Sequence, residues 1–238
     1  MVNAHYKNVL LWIERKRFML LLLCTILTLV LPAFAGNGLL SAILFVVTLS
    51  FLFVQSMVVA NVRKSQKRLV RSIVLIMILI SGLEPAGIDS VYIVVVKMTF
   101  FVVFFIFVIS YLIRFITRSA TVDRNVLITS INVYLLSGII GASLCMVCYR
   151  IYPDAYNFPA YIPRPDFVSF LYYSFITMST VGYGDITPRI QETQTLAYFI
   201  SITGQLYVAI IIAFLIGKFL MQGNQKKADQ SKKVEGIH

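Results

Sequence analysis

Charged residues are scarce in this chain: they make up 13% of its 238 residues, whereas hydrophobic residues make up 59%. So few polar side chains cannot coat the surface of a soluble globule of this length. The scarcity of charge therefore excludes a soluble globular protein and indicates an integral membrane protein.

Cysteine and histidine are also rare, with three and two residues respectively. Cys145 and Cys148 form a C-x-x-C pair without a second pair or a neighbouring histidine, which favours small buried hydrophobes over a metal or redox centre. His5 and His238 lie near the two ends of the chain. An enzyme acting inside the bilayer would need paired polar groups, and the apolar stretches carry no histidine and no carboxylate at mid-depth. We therefore expect no enzyme, no cofactor and no transition-metal site.

Six apolar stretches reach or approach the ~20 helical residues that a bilayer requires. They are residues 18–35, 39–60, 69–83, 91–113, 126–149 and 193–220. The third stretch is short, so it either extends toward Ile88 or spans thinned lipid. The first stretch admits a second interpretation, because Ala33, Phe34 and Ala35 resemble a signal-peptide cleavage site. In that alternative, five crossings would remain.

The basic residues indicate which way these spans are oriented. Of the 21 lysines and arginines, 17 fall in four clusters, at 7–17, 63–71, 114–124 and 218–233. All four clusters lie in the cytoplasm when the N-terminus is inside. Both termini are therefore predicted to be cytoplasmic, in a multi-pass protein of the plasma membrane. The net charge of +11 reports this topology and an attraction to membrane lipids, and such short, separate clusters argue against nucleic acid as a partner.

The hexapeptide Thr180–Asp185, with the sequence TVGYGD, lies between the last two predicted spans. For successive carbonyls to face one axis, alternate residues need a φ that is positive or nearly so, and Gly182 and Gly184 adopt such a φ at low cost. Val181 and Tyr183 then point away from the axis. A ring of such carbonyls can replace the water shell of a potassium ion. A plain turn between buried helices would not need this sequence around its glycines.

This segment and the residues before it resemble the potassium channel family. Residues 172–179, YYSFITMS, resemble the pore helix before the filter, although two tyrosines stand where the family usually has tryptophans. The resemblance implies that K⁺ is the permeant ion and that Tyr172 bonds Asp185 at the outer mouth. It also implies a selectivity filter made of Thr180, Val181, Gly182, Tyr183 and Gly184.

The residues around the filter complete the predicted pore, some by their own chemistry and some by the resemblance. Asp166 is the predicted N-cap of the pore helix, whose C-terminal end directs partial negative charge toward the cavity below the filter. Gly204 matches a glycine at which the inner helix of the family bends, with close helix packing as the alternative role. Each chain supplies one loop, so a closed ring of carbonyls implies a homotetramer.

The expected fold is an all-α membrane protein with six transmembrane helices, a re-entrant pore helix and filter between the last two, and a tetrameric pore. Residues 1–17 form a cytoplasmic N-terminus, and residues 18–118 form a four-helix peripheral domain that resembles a voltage sensor. Residues 119–220 form the pore domain. Residues 221–238 form a short cytoplasmic tail, which is too small for a ligand-binding domain.

Voltage-sensing members of the family carry an arginine at every third residue of the fourth span. Here Lys97 is the only charge within that span, and Arg114 and Arg118 lie at its cytoplasmic end. Steep voltage dependence is therefore not expected. We expect Lys97 to pair with Glu84 or Asp89, with a role in gating as the alternative. A non-selective cation channel and a non-conducting subunit of a larger channel are the alternatives for the whole chain.

Overall fold

The hydrophobic runs of this sequence become helices because backbone polar groups inside a bilayer must hydrogen-bond within the protein. The computed structural model describes residues 2–34, 39–59, 90–160, 162 and 165–235. The third predicted span, 69–83, lies outside these residues. The elements are α1 (Val2–Phe34), α2 (Leu39–Val59), α3 (Val91–Arg118), α4 (Arg124–Ile151), β1 (Tyr156–Asn157), α5 (Phe167–Met178), β2 (Thr187–Pro188) and α6 (Gln191–Glu235).

Three helices in the described part of the chain are long and apolar enough to cross a membrane, judged by length and composition. They are α3, α4 and the part of α6 that spans Gln191–Gly223. The described structure is mostly helical and is consistent with an all-α membrane protein. The number of six spans stays a prediction.

The helices extend beyond the predicted apolar spans at several ends. Helix α6 continues past Leu220 through most of the predicted tail to Glu235, and α1 begins at Val2. An apolar run marks the part of a helix that lies in the lipid. The helix itself ends where its terminal backbone groups find hydrogen-bond partners outside the helix. Helix α4 begins at Arg124, for example, because Oδ1 of Asp123 accepts a 2.9 Å hydrogen bond from the backbone N–H of Val126.

Aromatic packing joins α2 to α3. The ring of Phe53 on α2 contacts three α3 rings with centroid distances of 4.8–5.5 Å, those of Phe101, Phe104 and Phe105. Lys97 lies on α3 close to this cluster in sequence and is only 2% exposed. The partners predicted for Lys97, Glu84 and Asp89, lie outside the described residues, so this pairing stays a prediction.

Two polar contacts tie α4 to distant parts of the chain. Nδ2 of Asn132 donates to the carbonyl of Phe18 on α1 at 3.0 Å. The hydroxyl of Tyr207 on α6 donates to the carbonyl of Ser130 at 2.6 Å. Helix α4 is thus the scaffold that contacts α1, α3, α5 and α6. Through its contacts with α5, helix α4 also positions the segment between α4 and α6.

Candidate ion-conduction site

Helix α5 is a short helix whose start is fixed by its first polar side chain. Oδ1 of Asp166 accepts hydrogen bonds from the backbone N–H and the hydroxyl of Ser169, both at 2.9 Å. This geometry confirms the prediction that Asp166 is the N-cap. The helix ends at Met178, two residues before Thr180. Its C-terminal end therefore adjoins the TVGYGD segment.

Small residues on α4 allow α5 to pack closely against it. The hydroxyl of Ser174 donates to the carbonyl of Gly138 at 2.8 Å. A Cβ atom at Gly138 would lie 2.4 Å from the ring of Phe175, and one at Gly141 would lie 2.4 Å from Oγ of Ser174. An alanine at either position would therefore force the Phe175 ring or the Ser174 hydroxyl to move, which is consistent with a close helix contact at these two glycines.

The sign of φ alternates along the loop that follows α5. Thr180, Gly182 and Gly184 have φ values of 60°, 52° and 81°. Among the described residues other than glycine, Thr180 alone has a positive φ. Left-handed backbone is unfavourable for a β-branched residue, so surrounding contacts must hold Thr180 in place. The φ values expected for Gly182 and Gly184 are confirmed.

Backbone hydrogen bonds anchor the start of this loop to the end of α5. The N–H of Thr180 donates to the carbonyl of Thr177 at 3.0 Å. The N–H groups of Val181 and Gly182 both donate to the carbonyl of Ile176, at 3.0 and 3.2 Å. Within the described structure, by contrast, none of the hydrogen bonds uses a carbonyl of residues 180–184 as its acceptor. The loop thus presents five successive carbonyl groups without a donor among the described residues.

A side-chain contact closes the outer end of the loop. The hydroxyl of Tyr172 on α5 donates to Oδ2 of Asp185 at 2.7 Å. The other carboxylate oxygen of Asp185 accepts a 3.1 Å hydrogen bond from the N–H of Ile186. The structure therefore brings together the two residues that the sequence predicted as a pair.

The loop and the helices on either side of it lie in a part of the chain that matches a family model. Residues 131–222 match the family model for ion channels. The matched region holds most of α4, all of α5, the loop, and the apolar part of α6. No curated protein and no solved structure matches the chain. The match supports a membrane ion channel rather than an enzyme, and it does not specify the ion.

Within the matched region, a strand pair secures the chain after the loop. Strands β1 and β2 pair antiparallel, with Tyr156 opposite Pro188, a small sheet that the all-α prediction did not include. The carbonyl of Ala155 accepts from the N–H of Arg189 at 2.8 Å and from the hydroxyl of Thr193 at 2.9 Å. These bonds join the start of α6 to the segment that follows α4.

An aromatic cluster supports the back of α5. The ring of Tyr156 packs against the rings of Phe170 and Tyr173, with centroid distances of 5.6 and 5.3 Å. Burial raises the pKa of the Tyr156 phenol above its usual range, so this group stays neutral at physiological pH. The contacts between β1 and α5 are therefore made by uncharged aromatic side chains.

Helix α6 touches the end of α5 at a glycine. A Cβ atom at Gly204 would lie 2.2 Å from the carbonyl oxygen of Met178 and 2.4 Å from its Cγ atom. The close-packing role of Gly204, which the sequence left as an alternative, is therefore present in the structure. A hinge at Gly204 stays a prediction.

The next residue of α6 contacts the loop itself. Nε2 of Gln205 donates to Oγ1 of Thr180 at 3.3 Å, so the side chain of Gln205 supports the residue with the strained backbone. From its place in the last apolar stretch alone, Gln205 could face either the pore or a neighbouring helix, and the structure shows it bonded to the loop. A polar residue directly after a closely packed glycine is the signal that favours this contact.

Proposed function

We propose that this chain is one subunit of a homotetrameric potassium channel. K⁺ passes down its electrochemical gradient through the carbonyls of Thr180, Val181, Gly182, Tyr183 and Gly184, without catalysis or a cofactor. The protein lies in the plasma membrane in contact with lipid, with both termini in the cytoplasm.

The observation that carries this proposal is the alternating φ of a loop whose carbonyls have no donor in the described structure. In a β-strand, successive residues face opposite sides. Alternation of the sign of φ instead turns successive peptide planes to the same side. Five carbonyls on one side of each chain supply the oxygen ligands that a dehydrated cation needs.

The position of α5 supports the same proposal electrostatically. The C-terminal end of a helix carries about half a negative elementary charge. Helix α5 ends at Met178, so this partial charge lies beside the inner end of the loop at Thr180. A cation that waits there, before entering the loop, is stabilised by it.

The required selectivity is modest in energy. A thousandfold preference for K⁺ over Na⁺ corresponds to ~4 kcal/mol. Several carbonyl ligands with a fixed spacing can supply a difference of that size. The Tyr172 to Asp185 and Gln205 to Thr180 hydrogen bonds hold the two ends of the loop and thus help to fix the spacing.

Surfaces left uncovered in the single chain support a tetramer. The side chains of Val181 and Tyr183 are 53% and 73% exposed. Only 11% of the most apolar part of α6 is buried within the chain, compared with 56% for α4. Neighbouring subunits around a fourfold axis would cover the loop side chains and one face of α6.

We expect conduction to depend only weakly on voltage. Moving one elementary charge across 100 mV supplies ~2.3 kcal/mol, so steep gating requires several charges that move. Helix α3 carries only Lys97 along its apolar length, and this residue is 2% exposed in a packed core. A single buried lysine does not amount to a voltage-sensing series.

The proposal is tested by flux measurements on purified protein in liposomes. We expect K⁺ uptake to exceed Na⁺ uptake at least tenfold, and the reversal potential to follow the K⁺ gradient. Gly182→Ala should abolish this uptake, because a left-handed φ costs about 1–2 kcal/mol for a residue with a Cβ atom. Gly217→Ala is the matched control, since a Cβ added at Gly217 would meet no atom within 4 Å and this residue has no positive φ.

Three results would contradict the proposal. A reversal potential that ignores the ratio of K⁺ to Na⁺ would indicate a non-selective cation channel. A correctly assembled tetramer without flux would indicate a non-conducting subunit. Equal K⁺ flux in the parent protein and Gly182→Ala would show that these carbonyls do not form the conduction path.

A further inference from the structure

A cleft of about 480 Å³ opens at the C-terminal end of α3. Of the residues that the structure describes, Tyr111, Arg114, Phe115, Arg118 and Ser119 line it. The first four of these residues are spaced at i, i+3, i+4 and i+7, so their side chains lie on one face of the helix. The cleft thus combines two guanidinium groups, a phenol and an aromatic ring.

The two arginines of this cleft have no ion-pair partner among the residues that the structure describes. Both are exposed, and neither guanidinium forms an ion pair or a hydrogen bond with any residue that the structure describes. The next acidic residue along the chain, Asp123, already accepts the N-capping hydrogen bond of α4. Two neighbouring like charges without a partner attract an anion, and guanidinium groups bind phosphate oxygens in a bidentate manner.

The end of a helix ordinarily repels an anion, because its free carbonyls carry partial negative charge. Here Lys218 of α6 offsets this repulsion. Its ammonium group donates to the carbonyls of Ile116, Thr117 and Ser119, at 3.2, 3.2 and 2.5 Å. The carbonyls are thereby satisfied by a cation, and Arg114 and Arg118 are left to face the cleft.

The surface that leads to this cleft is apolar. Val103 and Phe107 lie on the same side of α3 as Arg114, at intervals of four and seven residues, and are 60% and 52% exposed. Ile113, adjacent to Arg114, is 43% exposed. An acyl chain fits along such a surface, with its headgroup at the level of the arginines at the end of the span.

We propose that the cleft of Arg114 and Arg118 binds the phosphate group of an anionic membrane lipid, whose acyl chains lie along the exposed apolar residues of α3. Lipid binding at this site does not depend on which ion the protein conducts, so its test is independent of the test of potassium selectivity. If the arginines only anchored the span by their charge at the membrane surface, lysines at 114 and 118 would bind the anionic lipid as tightly as the arginines do.

The test uses the full chain in a neutral detergent, with native mass spectrometry and the thermal unfolding midpoint as readouts. The probes are dioctanoyl phosphatidylglycerol, dioctanoyl phosphatidylcholine and inorganic phosphate. We expect saturable binding of phosphatidylglycerol that raises the unfolding midpoint. In Arg114→Gln/Arg118→Gln the apparent affinity should fall by roughly tenfold or more, because two charge-assisted contacts are lost.

Matched variants separate this site from a general effect of charge. Arg118→Gln should weaken phosphatidylglycerol binding, whereas Arg189→Gln, which removes an arginine far along the chain, should not. Arg114→Lys/Arg118→Lys keeps the charge but loses bidentate geometry, so intermediate affinity is expected. This variant also keeps the test informative if the double glutamine variant fails to fold.

Three outcomes would overturn the proposal. The first is unchanged phosphatidylglycerol binding in Arg114→Gln/Arg118→Gln. The second is equal binding of phosphatidylcholine with the same dependence on the arginines, which would remove the requirement for an anionic lipid. The third is an arginine-dependent shift of the same size with inorganic phosphate, which would assign the cleft to a soluble anion.

Discussion

The hydroxyl of Tyr172 lies 2.7 Å from Oδ2 of Asp185, and this hydrogen bond joins α5 to the residue that follows the loop of five unpaired carbonyls. The two residues are 13 positions apart, so the bond closes the loop into a ring anchored at both ends. At the inner end, the corresponding anchors are the hydrogen bonds from Thr180 and Val181 to the carbonyls at the end of α5.

Tyr172→Phe removes this outer anchor without removing the ring. A hydrogen bond to a charged group contributes about 1.5–3 kcal/mol, less where solvent reaches it, and Tyr172 is 38% exposed. We therefore expect the loop to lose about 1 kcal/mol of stability, below that range because solvent reaches the bond. Ion flux through the reconstituted protein should then decline faster during sustained activity than in the parent protein.

The control for this prediction is Tyr198→Phe, since Tyr198 is 51% exposed and its hydroxyl has no hydrogen bond among the described residues. A double-mutant cycle with Asp185→Ala isolates the pair. Identical flux kinetics in the Tyr172→Phe and Tyr198→Phe proteins would show that the bond does not stabilise the loop.

Gly204→Ala tests the contact between α6 and the end of α5. The added Cβ would meet the backbone oxygen of Met178 at 2.2 Å, and a backbone atom moves less readily than a side-chain tip. Overpacking of this kind costs about 1–3 kcal/mol. We expect a lower midpoint of unfolding by SDS and altered ion flux.

Gly217→Ala provides the comparison on the same helix, because a Cβ added there would have no atom within 4 Å. It should leave stability unchanged or raise it slightly, since alanine favours helix. If Gly204→Ala changed flux while remaining as stable as Gly217→Ala, bending rather than packing would explain the glycine at 204.

Features set by neighbouring residues were predictable from the sequence. Gly182 and Gly184 have the expected positive φ, and Asp166 caps α5 as expected. The contact between Tyr172 and Asp185 also spans few residues, and the resemblance to a known family pointed to it. In each case the short segment between Asp166 and Asp185 contains the information that determines the geometry.

Contacts between distant segments were not predictable in the same way. The hydrogen bond from Ser174 to Gly138 spans 36 positions, and that from Lys218 to Ser119 spans 99. A sequence shows that Gly138 and Gly141 are small, which is a signal of close helix contact, but it does not name the helix that approaches them. The ends of the long helices did not follow from the apolar spans either, because the length of an apolar run reflects the thickness of the membrane rather than the position of a cap.

Asp166→Ala tests how far the start of α5 depends on its cap. Loss of the carboxylate leaves the N–H of Ser169 without its acceptor, which costs about 1 kcal/mol. We expect a lower unfolding midpoint in detergent and faster hydrogen exchange at residues 167–170. Asp166→Asn should retain nearly all of the stability, because an amide oxygen also accepts this bond. Equal exchange in the alanine and asparagine variants would contradict the capping role.

Lys218→Met tests the connection between α6 and the C-terminal end of α3. Methionine keeps an apolar stem beside the ring of Phe214, over which the ammonium lies at 4.5 Å, but it donates no hydrogen bond. Three carbonyls of residues 116–119 then lose their donor. The favourable interaction of a cation with a helix end is worth about 0.3–1 kcal/mol at exposed positions and up to about 2 kcal/mol where partly buried.

We therefore expect faster amide hydrogen exchange across residues 116–122 in Lys218→Met, with little change in α5. Lys218→Arg keeps the charge and the donors, so it should restore slow exchange in that segment. If exchange in Lys218→Met matched the parent protein, water would satisfy these carbonyls equally well, and α6 would not hold the end of α3. Fast exchange confined to residues 116–122 would show that the ammonium group of Lys218 stabilises the C-terminal end of α3.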